Sequence, residues 1–357
     1  TSPNASVPNA LFNADLKPEL TKSIEFGAEL NFFLNRVRLD FTYYTQTTED
    51  LIFSVSQSAA TGYSSRILNA GTVENKGIEV MLNVTPVKTE SGFTWDLGLN
   101  FAKNNNQLVS LVDGVENLRY TSLFGVSLEA RVGEPLGTFM GFDYQYDDAG
   151  NKLVDADGVY LTTDEIVPLG TILPDFTGGV TNTLTYKGLT FYALIDFQKG
   201  GSLHSYSNQW GKYSGTLAET AENNIREEGI VVEGVYAPGT IIDDVDVSGQ
   251  ANSSVLDAQS HFFLNQGYVV HAADQYDASF IKLREMRLNY SLPAKMTEGL
   301  PFYSVSVGVY GRNLAILHKN VPHVDPEVAS ASGNIQGFEG GQLPAERTIG
   351  VNLSFKL

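Results

Sequence analysis

Nine segments of the chain alternate apolar and polar residues with a period of two: 23–32, 37–44, 77–87, 93–102, 176–186, 189–199, 280–292, 302–313 and 347–357. In the first, Ile24, Phe26, Ala28, Leu30 and Phe32 share one face, and Glu25, Gly27, Glu29 and Asn31 share the other. That rhythm predicts β-strands with two unlike faces. In the fourth, Phe93, Trp95, Leu97, Leu99 and Phe101 oppose Thr94, Asp96, Gly98, Asn100 and Ala102. A soluble sandwich turns Lys and Glu toward bulk water, whereas the polar faces here are mostly Thr, Ser, Asn and Gly with occasional Asp. In mid-strand the apolar faces stay free of charge, as a lipid-facing surface demands, because a Lys or Arg at mid-depth costs roughly 2–4 kcal/mol. Segment 280–292 is the exception. Its phase slips between Ile281 and Leu283 on one side and Met286, Leu288, Tyr290 and Leu292 on the other, which predicts a β-bulge.

The connections alternate as well. Short ones lie at 34–35, 88–92, 187–188 and 293–301; long ones lie at 45–76, 103–175, 200–279 and 314–346. Bacterial outer-membrane barrels have short periplasmic turns and long extracellular loops, so the expectation is an all-β, transmembrane antiparallel barrel wall with its long loops outside. Phe32, Phe33, Phe93, Trp95, Tyr186, Phe302, Tyr303 and Phe355 gather at the short-turn ends, where an interfacial aromatic girdle belongs. Met140, Phe142, Tyr144 and Tyr146 also alternate. A tenth wall strand there would spoil the long-short order, so they are expected to form an extended limb of loop 103–175.

Composition narrows the picture further. The 34 Gly, 17 Tyr and 20 Phe among 357 residues suit a turn-rich β protein. No run of 18 apolar residues is present, so any membrane crossing is by strands. The opening residues Thr1, Ser2, Pro3 and Asn4 have no basic stretch followed by an apolar core, and so do not read as a signal peptide. Zero Cys excludes disulfides, thiolate zinc sites and thiol nucleophiles. Of the net charge of −18, residues 140–178 hold eight acids against one base and residues 200–279 eleven against two. Acidity in long loops argues against nucleic acid as a partner.

Nine strands is an odd number, and closed single-chain barrels are even with both ends in the periplasm. The chain therefore reads as the C-terminal part of a larger barrel. Thr348, Gly350, Leu353 and Phe355 match the spacing that assembly machinery reads on last strands, although Lys356 and Leu357 follow and the terminal aromatic is missing.

An ordered series of motifs resembles the TonB-dependent outer-membrane receptors of the SusC/RagA type found in Bacteroidetes. It runs through Asn13-Ala14-Asp15-Leu16-Lys17-Pro18-Glu19, Thr61-Gly62-Tyr63, Asn69-Ala70-Gly71 and Glu74-Asn75-Lys76-Gly77-Ile78-Glu79. It continues through Gly133-Glu134-Pro135-Leu136-Gly137, Pro174-Asp175-Phe176-Thr177-Gly178-Gly179, Lys199-Gly200-Gly201 and Phe280-Ile281-Lys282-Leu283-Arg284. Ala14 departs from the family's usual Pro. The resemblance implies a 22-stranded barrel filled by an N-terminal plug, with residues 1–357 as part of the barrel and the plug absent from this sequence. It further implies a SusD-like surface lipoprotein as a lid, TonB acting through the plug, and import of oligosaccharides or peptides. The alternative is an outer-membrane surface or structural barrel without transport; a secreted soluble β protein is the third reading.

Catalysis finds no foothold. His204, His261, His271, His318 and His323 lack the His-Glu-x-x-His spacing, and neither a Gly-x-Ser-x-Gly elbow nor a phosphate loop is present. No cofactor is expected. His318 and His323 flank Val321-Pro322, where solvated loop histidines are the ordinary outcome and a metal the rarer one. The Asp and Asn residues of 147–158 offer oxygens suited to Ca²⁺ but miss the EF-hand spacing, so turn chemistry is preferred. Tyr206, Trp210 and Tyr213 stand among Ser, Asn, Gln and Gly in the longest loop. They are the candidate contacts for a sugar or a partner protein, against the simpler role of packing the loop. Glu25, Glu29, Asp40, Glu79, Asp96 and Asp196 face inward, to line a transport path or to hydrogen-bond a plug.

Overall fold

The computed structural model describes residues 9–56, 59–298, 301–331 and 333–356. Residues Thr1 to Asn4 and the terminal Leu357 lie outside that range. All nine alternating segments are strands, and they pair in chain order in one antiparallel meander. They are β1 (Leu20–Phe32), β2 (Val37–Ser56), β3 (Ser65–Lys88), β4 (Thr94–Leu111), β5 (Pro174–Tyr186), β6 (Leu189–Gly200), β7 (Phe280–Ser291), β8 (Ser304–Lys319) and β9 (Thr348–Lys356). Residues 10–11 add a short parallel bridge to the upper end of β3.

Register fixes the faces. Ala28 pairs with Phe41, Phe41 with Val80, and Val80 with Phe101. The next positions along pair Glu29 with Asp40, Asp40 with Met81, and Met81 with Asn100. Partners across antiparallel strands share a face, so apolar residues form one continuous surface and polar residues the other. Among the described residues, no second sheet or helix covers the apolar one. Phe26 is 67 % exposed, Ile349 77 % and Val351 67 %, and the clusters of buried apolar side chains lie in the loops and, through Phe53, Ala70 and Leu108, at the loop ends of β2, β3 and β4. At about 3.3 Å per residue and a tilt of about 40°, the stretch from Ile24 to Phe32 rises roughly 20 Å, close to the height of a barrel's apolar band.

Several strands run past the ends marked by apolar alternation. β2 and β3 stay paired from Tyr43–Ile78 up to Ser56–Ser65, so most of 45–76 is a long hairpin. Above the band the outward positions become Thr45, Thr47, Glu74, Lys76, Lys103 and Asn105. Backbone pairing continues there beyond the apolar band and on up to the loops, against which Phe53, Ala70 and Leu108 are buried, so the outward apolar alternation ends without ending the strand. At the opposite ends, the short connections include a two-residue turn at Lys187 and Gly188, both with positive φ (45° and 83°), the geometry that suits the right-handed twist of a hairpin. The aromatics expected at these ends are there: Phe32 contacts Phe33, Phe302 contacts Phe355, and Trp95 donates from Nε1 to Asn182 Oδ1 at 3.2 Å.

The predicted bulge is at Arg284. Leu194 pairs with Glu285 and the adjacent Ile195 with Leu283, so one residue of β7 is extra. The extra residue absorbs the phase slip: Ile281 and Leu283 before it and Met286 and Leu288 after it stay outward, while Lys282 and Arg284 join Glu285 and Arg287 on the polar side.

The long loops pack on one another beyond one end of the wall. Residues Asn117–Leu123, Val126–Arg131, Thr138–Gly141 and Val167–Thr171 form a separate four-stranded sheet. Met140 belongs to that sheet, while Tyr144 and Tyr146 make only isolated bridges, so the alternation at 140–146 adds no wall strand. A three-stranded sheet joins Ser202–Ser205 to Gln275–Asp277 and to Phe338–Glu339, tying the third long loop to the last. Two short helices, α1 (Tyr206–Tyr213) and α2 (Ala258–Leu264), lie against each other within the third loop. No helix among the described residues is long and apolar enough to cross a membrane.

Candidate functional site

The polar face of the wall holds two concavities. The one nearer the loops has a volume of about 610 Å³ and is lined by Asp40, Thr42, Glu79, Asn100, Thr177 and Asp196 among others. The one nearer the short turns, about 690 Å³, is lined by Glu29, Arg38, Asn83, Asp96, Thr181 and Thr183 among others. Of the inward acids, Glu29 is paired with Arg38 at 2.8 Å, Asp96 accepts from Thr85 Oγ1 at 2.6 Å, and Asp196 is paired with Arg284. Glu25, Asp40 and Glu79 have no ion-pair partner among the described residues. Glu29 and Asp40 are direct cross-strand neighbours of like charge, an arrangement that costs stability unless cations or water meet it. The face is thus hydrophilic, weakly committed to its own side chains, and able to carry polar solutes or to receive basic groups.

Above it, the loops pack into a roof around buried carboxylates that are individually satisfied. Glu129 is fully buried and accepts from Asn117, Ser127, Arg119 and Arg131. Burial alone would raise its pKa, but these donors outweigh burial and hold the carboxyl below its usual range. Glu339 accepts from the hydroxyls of Ser205 and Ser207, each at 2.6 Å, and from Gly341 N at 2.9 Å. Ser205 is also the N-cap of α1, its side chain accepting from Asn208 N. Asp257 caps α2 in the same way, accepting from Ser260 N at 3.0 Å.

The three candidate aromatics all belong to α1, at the helical spacing i, i+4, i+7, but they do different things. Tyr206 is 1 % exposed, stacks on Phe338 and donates its hydroxyl to Leu123 O at 2.5 Å. It packs the roof. Trp210 and Tyr213 emerge, 43 % and 47 % exposed. Trp210 meets Phe124 edge-on at 5.6 Å, and Tyr213 lies 4.8 Å from Tyr268 and 5.8 Å from Phe263. Phe124 and Phe263 are also exposed, so the aromatic surface is wider than the sequence indicated. Phe124 sits at φ 47° on a hairpin tip, an unfavourable conformation for a bulky residue and one often kept where a side chain must be presented.

Other candidates resolve into local structure. Asp147 Oδ1 accepts from Ala149 N and Asn151 N, and Asp155 Oδ1 from Asp157 N and Val159 N, so each carboxylate closes its own turn. His318 pairs across strands with Ile281, and His323 Nε2 lies 3.3 Å from Glu219. Among the described residues no three His, Asp or Glu side chains gather as metal ligands would.

A polar-lined wall whose outer face is bare and apolar, roofed at one end by packed loops, is the geometry of a receptor barrel. The family described as TonB dependent receptor-like, beta-barrel matches residues 1–239. The chain belongs to this family. Its relatives include TonB-dependent receptor P3 of Formosa agariphila, 29 % identical over 96 % of this chain and 35 % of that protein. TonB-dependent receptor SusC of Bacteroides thetaiotaomicron is 26 % identical over 96 % of this chain and 33 % of its own length. Among solved structures, the RagAB peptide importer in its closed-closed state shares the fold with a TM-score of 0.67 at 22 % identity, over 95 % of this chain and 35 % of that chain. The chain thus spans about a third of the length of these relatives. It is part of the barrel wall of an outer-membrane receptor, and its family consists of receptors and transporters rather than enzymes.

Proposed function

We propose that this wall is the C-terminal part of a 22-stranded importer for oligosaccharides or peptides too large to diffuse through porins. Its long loops face outside and its short turns the periplasm; a SusD-like surface lipoprotein closes over the roof, and TonB acts through an N-terminal plug. The observation that carries the reading is the pairing of a weakly committed polar wall with a roof of interlocked loops that presents aromatic rings. The similar fold of the RagAB peptide importer supports the peptide class, and exposed ring faces suit the oligosaccharide class. Trp210 and Tyr213, with Phe124 and Phe263 beside them, are the proposed contacts for substrate or lid, because exposed aromatic faces stack on sugar rings and anchor protein interfaces equally well. Glu25, Asp40, Glu79 and their neighbours line the proposed path. No step is covalent; the work is capture and gating.

The test is genetic and biochemical. Deleting the gene should abolish growth on oligomeric nutrients while sparing growth on their monomers, and loss of TonB should have the same effect. The receptor purified from native outer membranes should bring a lipid-anchored, helical protein with it. Unchanged growth on every oligomer, together with a receptor that purifies alone, would favour the non-transporting barrel.

A further inference from the structure

The bulge in β7 places two cations where they join the wall to the last long loop. Lys282 is only 5 % exposed although it belongs to a wall strand. Its Nζ donates to Asp325 Oδ1 and to Glu327 Oε2, each at 2.5 Å. Arg284 donates through Nε to Asp196 Oδ2 at 2.9 Å and through Nη2 to the same oxygen and to Glu327 Oε1, the latter at 2.8 Å. Its Nη1 reaches Asn313 Oδ1 at 3.4 Å, and Asn313, held at φ 50°, donates in turn to Glu346 O at 3.0 Å. Two cations of one strand therefore hold two carboxylates of the loop and one carboxylate, Asp196, that lines the loop-side concavity.

The far side of this junction leads to the aromatic platform. The loop that carries Asp325 and Glu327 also carries Phe338 and Glu339, which pair with His204 and Ser205. Glu339 takes the Ser205 and Ser207 hydroxyls, and Ser205 caps the helix bearing Trp210 and Tyr213. Within the last loop Ser330 N donates to Phe338 O at 2.8 Å, so wall, ion network, last loop and ring-bearing helix are joined in one chain of contacts. A buried pair of this kind adds little net stability, yet removing one member leaves an uncompensated charge whereas removing both members of a simple pair leaves none.

We propose that Lys282 and Arg284 are positioning residues for capture: they fix the last loop, and through Glu339 helix α1 with its aromatic rings, at a set height over the lumen wall. Neither touches the captured solute; each acts through the loop. The import role of the platform rests on the reading above, whereas the latch itself does not.

The absence of Cys from this chain makes a distance measurement direct. In the full receptor, with cysteines elsewhere replaced, spin labels are placed at Ser214→Cys at the end of α1 and Leu288→Cys on the outer face of β7. The wild-type distance distribution should be narrow. Arg284→Gln and Lys282→Met should broaden or shift it, Arg284→Lys should recover part of the narrow component, and Lys282→Met/Asp325→Leu should be closer to wild type than Lys282→Met alone. Arg284→Gln keeps the Lys282 pair intact and provides the answer if Lys282→Met fails to assemble. A second readout is uptake of a mixed probe of fluorescein-labelled oligosaccharides and peptides. Arg284→Gln should raise the half-saturating concentration several-fold with the maximal rate little changed. Distance distributions that coincide with wild type in both single variants would overturn the latch. A wild-type receptor that takes up neither probe would instead remove the import reading and leave the distance test standing.

Discussion

At the scale of single residues, adjacent positions on one strand should behave as though they were in different solvents. Val80 is outward, between Phe41 and Phe101, and Glu79 is inward beside the loop-side concavity. Val80→Arg is expected to cost about 2–4 kcal/mol, while Glu79→Gln should change stability little. Denaturant titration of the receptor in lipid vesicles, followed by heat-modifiable gel mobility, would measure both; equal costs would contradict the assignment of faces. The inward acids were legible because period two leaves no choice of face once the apolar side is fixed. The aromatics were legible only in part. The spacing of Tyr206, Trp210 and Tyr213 is that of one helix face, yet burial of the first depends on Phe338, which lies more than a hundred residues away in sequence. Phe124 carried no local signal at all, since its exposure comes from a hairpin tip and its company from a different loop.

Among elements, the strands were readable wherever lipid imposes the apolar alternation and unreadable where they rise above it and pack against the long loops instead. That is why β2, β3, β4 and β8 extend farther than their apolar pattern. The bulge was readable because two correctly phased half-strands cannot be joined without an extra residue. Removing that residue is therefore a sharp test. Deleting Arg284 should force either Ile281 and Leu283 or Met286 and Leu288 to the wrong face and abolish assembly of a heat-modifiable barrel, whereas Arg284→Ala, which keeps the register, should still assemble. Assembly of the deletion variant at wild-type yield would show that the slip does not set the register. The loop sheets could not be foreseen. Strands of two to seven residues, such as Val235–Tyr236 pairing with Leu153–Val154, draw their order from partners in other loops rather than from a pattern of their own.

For the molecule as a whole, the division is between a wall stabilised by its surroundings and a roof stabilised by its own core. The roof should be the acid-sensitive part. Burial pushes His204 and His261 down to about 4 from an ordinary 6.5, and burial also lowers His271. Between those values the unfolded loops bind protons that the folded loops exclude, so stability rises with pH across that window and is lost as pH falls from 6.5 toward 4. Hydrogen exchange at pH 7.5 and 4.5, corrected for intrinsic rates, should show protection falling around Ser202–Ser205 and α2 with β1 to β9 unchanged; equal protection in the roof at both values would count against it. The organisation of the wall was visible in sequence because each strand repeats one rule, while the roof emerges from contacts among three long loops. The central claim is that lipid bathes the apolar face. Single spin labels placed in turn along residues 94–102 of the receptor in lipid vesicles should alternate, with labels at Trp95, Leu97, Leu99 and Phe101 accessible to oxygen and those at Asp96, Gly98 and Asn100 accessible to a water-soluble nickel chelate. Absence of that two-residue alternation, or apolar positions closed to both reagents, would contradict the account.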